Sequence, residues 1–209
     1  MRLNRERLVD AAIDLVDDEG AEALSMRTLA ARVDRQVSSL YNHVSGRAEL
    51  IEHMRARIVA KIDVGRFAQA RSSAHEVPWD EALESWARSY LRAFAAHPAL
   101  IRLLATTSIR DVSTYEMYDA VVSGLRRGGW PESQTVAVMR TVEAHVLGSA
   151  LDIIAPDDLL TMDSADERLS AVHAALDPRY AASSSAEAAF ELGLSAIIEG
   201  LRAQLEKAS

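Results

Sequence analysis

Apolar residues return every three or four positions through most of this chain, and that interval commits it to helices before anything else is considered. Leu8, Ala11, Ala12, Leu15 and Val16 form one such face, opened by Asn4, a good N-cap, and closed by Gly20. Ser25 suits the cap of a second, shorter helix that turns Leu29, Ala30 and Val33 inward. Ser45 suits the cap of another, carrying Leu50, Ile51, Met54, Ile58 and Ile62. No stretch alternates with the period of two that a half-buried strand needs. Aromatic residues are 5% of the chain and glycines number nine. Proline marks further boundaries: His97-Pro98 stops a helix over 80–96, and Pro131 opens one running to 154. Between them lie a short helix at 99–105 and a longer one at 112–127; a last helix covers 186–206. Residues 72–78 read as a connector, and 155–165 and 177–185 as loops with one helix between them. The expected fold is all-α, a small N-terminal three-helix bundle joined to a larger C-terminal helical domain.

Composition narrows the function. With 209 residues, 49% of them apolar, the chain can bury a core without staples, and its lack of cysteine removes disulfides, thiolate metal sites and cysteine nucleophiles. The N-terminus is amphipathic and doubly charged, unlike a signal peptide, and no apolar run reaches about 18 residues. The expectation is a cytoplasmic protein with no membrane partner. A phosphate-binding glycine loop, an HExxH zinc helix and a Gly-x-Ser-x-Gly elbow are all missing, and the six histidines lack ligand spacing. No catalytic residue, metal or cofactor is expected.

The net charge of −8 is unevenly spread. Residues 1–62 carry ten Lys/Arg and ten Asp/Glu, whereas the remainder carries 13 against 21. Within the balanced part, the segment RQVSSLYNHVSGRAEL at 35–50 has no acid before Glu49. At about 100° per residue, Val37, Leu40 and Val44 share a narrow arc, Ser38, Ser39 and Asn42 lie opposite, and Tyr41 and His43 stand at the borders. The helix is roughly two turns long and must be held by packing. A tight turn, Val33-Asp34-Arg35-Gln36, joins it to the second helix, with Asp34 at the position that calls for a left-handed backbone. Helix, four-residue turn and short polar helix make a helix-turn-helix. Serine and asparagine suit base edges and phosphates, although such a face taken alone fits plain solvated surface equally well.

The flanking residues make the pattern specific. Leu3-Asn4-Arg5-Glu6, Ala11-Ala12, Gly20, Leu24-Ser25-Met26-Arg27-Thr28-Leu29-Ala30, Leu40-Tyr41-Asn42-His43-Val44, Arg47 and Leu50 resemble the DNA-binding domain of the tetracycline-repressor family of bacterial transcriptional regulators. The resemblance implies a helix-turn-helix domain at 1–45, a connecting helix at 46–71 and a ligand-binding and dimerisation domain at 72–209. It implies that Arg27, Thr28, Gln36, Ser38, Ser39 and Asn42 meet DNA, that Arg47 reaches phosphate, that Tyr41 does so unless it is a core-edge aromatic, that His43 packs between helices or reaches phosphate, and that Val37 touches a base methyl unless it packs in the core. For Arg27 the alternative is a surface ion pair with Glu22 or Asp34.

The same resemblance implies a homodimer on a palindromic double-stranded operator, with half-sites one turn, about 34–36 Å, or a multiple apart. The helices at 132–154 and 186–206 are the dimer elements. The last carries a stripe of Phe190, Leu194, Ile197, Ile198, Leu201 and Leu205, broken by Gly193 and Gly200, which either lets a partner helix approach closely or belongs to an ordinary internal core helix. A small-molecule effector is implied between the helices, with Trp86, Tyr90, Leu104 and Asp152 at its contact positions; Tyr118 and His145, polar groups on mainly apolar helices, either line that pocket or have a satisfied core or surface role. Thr106 and Glu143 are further polar groups on mainly apolar helices. Leu104 stands where the family's founding repressor has a magnesium-coordinating histidine, so no metal is implied here. Repression is the family's usual mode.

Overall fold

Two side-chain caps set the N-terminal register in the computed structural model, which describes residues 3–69, 77–156 and 167–208. Asn4 accepts the Arg7 N–H at 3.0 Å and starts helix α1, Arg5–Glu19; Ser25 accepts the Thr28 N–H at 3.0 Å and starts α2, Met26–Arg32. Gly20, with φ 86°, ends α1, and a single 3-10 turn at Ala21–Ala23 leads toward α2. The short helix α3, Val37–Leu40, follows, then α4, Arg47–Val59, and α5, Gly65–Gln69. The body consists of α6 (Trp79–Ala95), α7 (Ala99–Ala105), α8 (Val112–Arg127), α9 (Glu132–Asp152), α10 (Ser170–Ala175) and α11 (Ala186–Ala208). No strand occurs among the described residues. The parts of the expected connector and loop at 72–76 and 157–165 lie outside them.

Two local expectations are corrected. The third helix has one α-helical turn rather than two: Leu40 ends it, and residues 41–43 continue as tighter turns in which His43 N–H reaches the Leu40 carbonyl at 2.9 Å. Ser45 does not cap α4. Gly46 takes the cap position without a side-chain bond, and the Ser45 N–H donates to Glu49 Oε2 at 2.6 Å, so the reach-back comes from inside the helix.

One continuous apolar core runs from Leu8 in α1 to Leu201 in α11. Helix α4 is the bridge: it packs on α1 at one end and on α6 and α8 at the other, with Leu50, Met54 and Ile58 fully buried. In the body, α9 lies against both α6 and α11. Polar bonds tie the N-terminal bundle to the body as well. His97, just before Pro98, bonds Asp17 of α1 at 2.7 Å through Nδ1 and Lys61 at 3.1 Å through Nε2. Glu52 of α4 accepts the backbone N–H groups of Arg110 and Asp111 ahead of α8, at 2.6 and 2.7 Å. Beside it Arg55, 5% exposed, donates to the Thr107 carbonyl at 2.9 Å. No helix among the described residues is long and apolar enough to cross a membrane.

Candidate nucleic-acid interface and interior polar cluster

Asp34 decides how α3 is presented. Its φ of 51° is left-handed, and it is the single non-glycine residue among those described with positive φ. The Arg35 N–H reaches the Ala30 carbonyl at 2.9 Å and the Asp34 N–H reaches Ala31 at 3.1 Å, the paired bonds of a Schellman turn. The chain therefore reverses sharply after α2 and brings α3 in at a fixed angle. Leu40 (0% exposed) and Val44 (2%) dock it, with Val37 half-buried against the same core. Full burial of one leucine contributes about 1.5–3 kcal/mol, which is most of what holds a single-turn helix in place. Arg5 adds a clamp that sequence reading missed, donating from Nε to the His43 carbonyl at 3.1 Å.

The opposite face stays open. Gln36, Ser38, Tyr41 and Asn42 are exposed, and Ser39 and His43 are half-buried. The Ser39 hydroxyl donates to the Gln36 carbonyl at 2.8 Å, which leaves its lone pairs outward as acceptors. Arg27 is exposed and forms no ion pair with Glu22 or Asp34. Thr28 is different: its hydroxyl shares a 2.7 Å bond with Ser25 and so completes the α2 cap. Arg47 uses Nε on the Leu24 carbonyl at 2.9 Å, fixing the start of α4 beside α2 while the side chain remains exposed. The first acid after α3, Glu49, is held by the Ser45 hydroxyl and then its backbone N–H, and its pKa falls to about 2.

The six interior candidates divide into groups. Trp86 is fully buried and its Nε1–H has no acceptor among the described residues. Tyr90, one turn along α6, meets Trp86 edge-on at 5.3 Å and stacks on Phe94 at 4.9 Å. Its hydroxyl donates to Glu143 Oε1 at 2.8 Å, and Tyr118 of α8 donates to the same oxygen at 2.6 Å. Burial first, and then the Glu143 charge, push both phenol pKa values up, so both remain hydrogen-bond donors at neutral pH. Leu104 is 2% exposed in the core on α7.

His145 and Asp152 lie elsewhere. Two positions beyond Glu143 is about 200° around the helix, and Asp152 returns to the His145 side. His145 Nε2–H donates to the Phe190 carbonyl at 3.0 Å, its ring stacks on Phe190, and a Cβ at Gly193 would lie 2.4 Å from its Cε1. Gly193 thus seats a histidine of its own chain. His145 and Asp152 border a shallow groove on the outer side of α9, with a volume of about 470 Å³. Thr106 bonds back to the Arg102 carbonyl at 2.7 Å. Glu143, visible in the sequence as an acid on an apolar helix, is the centre that joins three elements.

The C-terminal part matches the family model described as "Tetracyclin repressor-like, C-terminal domain" over residues 74–205. The chain belongs to the tetracycline-repressor family. Tetracycline repressor protein class E of Escherichia coli is 27% identical over 206 residues, covering 99% of this chain and 94% of that one. The HTH-type transcriptional repressor DrrR1 of Streptomyces coeruleorubidus is 30% identical over 148 residues, 71% of this chain; the chain spans 53% of DrrR1's length. Among solved structures, the Streptomyces coelicolor tetracycline-repressor-family protein ActR in complex with actinorhodin has a TM-score of 0.75 at 25% identity, covering 99% of each chain. Regulators of the tetracycline-repressor family are in general DNA-binding transcription factors rather than enzymes.

Proposed function

We propose that this chain is a ligand-responsive transcriptional repressor that works in the cytoplasm, binds a palindromic DNA operator as a homodimer and is released by a small molecule, without catalysing a reaction. The observation that carries the reading is the outward face of α3: exposed Ser38, Tyr41 and Asn42, no acid between Arg35 and Ser45, and a Schellman turn that fixes their angle. Gln36, Ser38, Ser39 and Asn42 meet base edges and phosphates in the major groove, and Arg27, Tyr41, His43 and Arg47 contact the backbone around it. Val37, half-buried against the core at the start of the helix, contacts a thymine methyl with its exposed side. Thr28 acts through its cap on α2.

The effector site centres on Trp86, Tyr90, Leu104 and Tyr118, with Glu143 among them. An indole N–H buried without an acceptor is a vacant hydrogen-bond demand that a ligand oxygen satisfies. The repressor names of two relatives and the ligand bound to ActR support this reading. Each helix has a free face suited to a second copy: Val136 and Leu151 on α9, Ile154 just past its end and Leu192 on α11 are 48–74% exposed, and Gly148 and Gly200 have open space at the Cβ position. The stripe expected to form that contact, Phe190, Leu194, Ile198 and Leu201, is instead buried in the chain's own core, so the dimer face is the opposite one.

Selection of bound sequences from a random DNA pool, followed by salt titration, tests the proposal. The expected outcome is a two-fold symmetric site whose affinity falls linearly in log–log with salt and exceeds nonspecific binding by 10³-fold or more, about 4 kcal/mol. Binding of all sequences alike would sink the repressor reading.

A further inference from the structure

Away from both sites, a cavity of about 250 Å³ opens between α5, the start of α6 and the end of α8. Its walls are the rings of Phe67 and Trp79 with Pro78, and its charged groups are Arg66 and Arg127. Gly124 and Gly128, one turn apart on α8, let those rings rest directly on the helix backbone. A Cβ on Gly124 would lie 2.2 Å from Phe67 Cδ1, and one on Gly128 would lie 2.5 Å from Trp79 Cδ1. Trp79 is backed by Trp130, edge-on at 5.5 Å, so that wall is stiff.

Its charge runs against its surroundings. Residues 63–209 hold 13 Lys/Arg and 21 Asp/Glu, yet among the described residues two guanidiniums and no carboxylate line this cavity. Arg127 is oriented by a bond from Nη2 to the Phe67 carbonyl at 2.6 Å and has no carboxylate partner among the described residues. Among the described residues Arg66 has only Glu81 at 3.9 Å, both half exposed, a pairing that binds weakly. The N-terminus of the 17-residue α6 opens here with no side-chain cap at Pro78, and its first-turn Asp80 bonds Arg202 of α11 through Oδ2 and accepts the Glu81 N–H at 3.0 Å through Oδ1. Guanidiniums beside flat apolar walls select a carboxylate carried on a ring. The volume lies just under the roughly 300–1,000 Å³ of drug-sized pockets, which suits a single-ring acid.

We propose that this cavity is a second small-molecule site, distinct from the Trp86–Glu143 cluster, and that it takes a single-ring organic acid bound through Arg66 and Arg127.

Calorimetric titration of the full chain with phenylacetate, and with neutral phenylacetamide as its isostere, tests this. Phenylacetate is expected to bind saturably, with affinity falling as salt rises. Phenylacetamide, Arg66→Met and Arg127→Met should each weaken binding by about tenfold or more, the loss of one charge-assisted bond. Arg66 is exposed, so Arg66→Met keeps the fold and decides the question alone if Arg127→Met melts early. The proposal is overturned if phenylacetate shows no saturable heat up to about 10 mM, if the amide binds equally well, or if Arg66→Met binds like the parent. Operator affinity is measured without any acid present, so failure here leaves the repressor reading standing.

Discussion

The α3 face and the interior of the body use the same side-chain chemistry in opposite ways. Tyr41 is 53% exposed; Tyr90 is 4% exposed and donates to Glu143. Arg27 stands in solvent without a carboxylate, whereas Arg55 is buried beside Glu52 and holds a backbone carbonyl. A surface that reads DNA must keep its donors and acceptors available, and water satisfies them until a partner arrives. A buried polar group must be satisfied inside the chain, because leaving it unpaired costs about 1–3 kcal/mol. On the proposed reading, polar residues on α3 contribute to binding and little to stability, and those of the interior do the reverse. Arg55 and Glu52 belong to the second kind while sitting on α4, the helix that carries the reading head.

Substitutions that remove one partner at a time sharpen that contrast. The largest effect is expected at Glu52→Ala, which strands the Arg55 charge and two backbone N–H groups; urea unfolding should show a loss of about 3–5 kcal/mol. A loss under 1 kcal/mol would mean that α4 and the body are not joined through this carboxylate. Tyr90→Phe removes a hydrogen bond to a charged acceptor and should cost about 1.5–3 kcal/mol of stability without changing operator affinity. Asn42→Ala inverts the pattern: operator affinity drops by about 1–3 kcal/mol while the unfolding midpoint stays within about 0.5 kcal/mol of the parent. A destabilised Asn42→Ala protein would place Asn42 with the interior residues and break the comparison.

Asp34→Gly relieves the left-handed backbone and removes an acid beside α3. It should stabilise the chain by about 0.5–1 kcal/mol and strengthen DNA binding at low salt. Glu49 gives the smallest effect. Its pKa is depressed from 4.5 to about 2, so its contribution is complete above pH 4.5 and is lost as pH falls toward 2. Melting curves of the parent and Glu49→Gln should differ above pH 4.5 and converge near pH 2. A difference that persists at pH 2 would place the cause outside this carboxylate's titration.

Which parts were legible in the sequence follows from the range of the forces involved. The Asn4 and Ser25 caps, the Gly20 stop, the breaks at Pro98 and Pro131 and the left-handed Asp34 all depend on neighbours within a turn. The dimer stripe on α11 misled because helical periodicity shows that a face is buried and says nothing about what buries it; α9 and α6 of the same chain do so first. Gly193 misled for the same reason, since its missing side chain makes room for His145.

By itself the sequence determined an all-helical chain with a short acid-free helix behind a tight turn, because helix period, capping and local charge are properties of short segments. Only the tertiary structure decided that Tyr90 and Tyr118 share one oxygen of Glu143, that Glu52 and Arg55 join α4 to the loop before α8, and that two arginines meet over a glycine-floored cavity. Those contacts link residues 25 to 61 positions apart, and their partners are chosen by how whole helices pack.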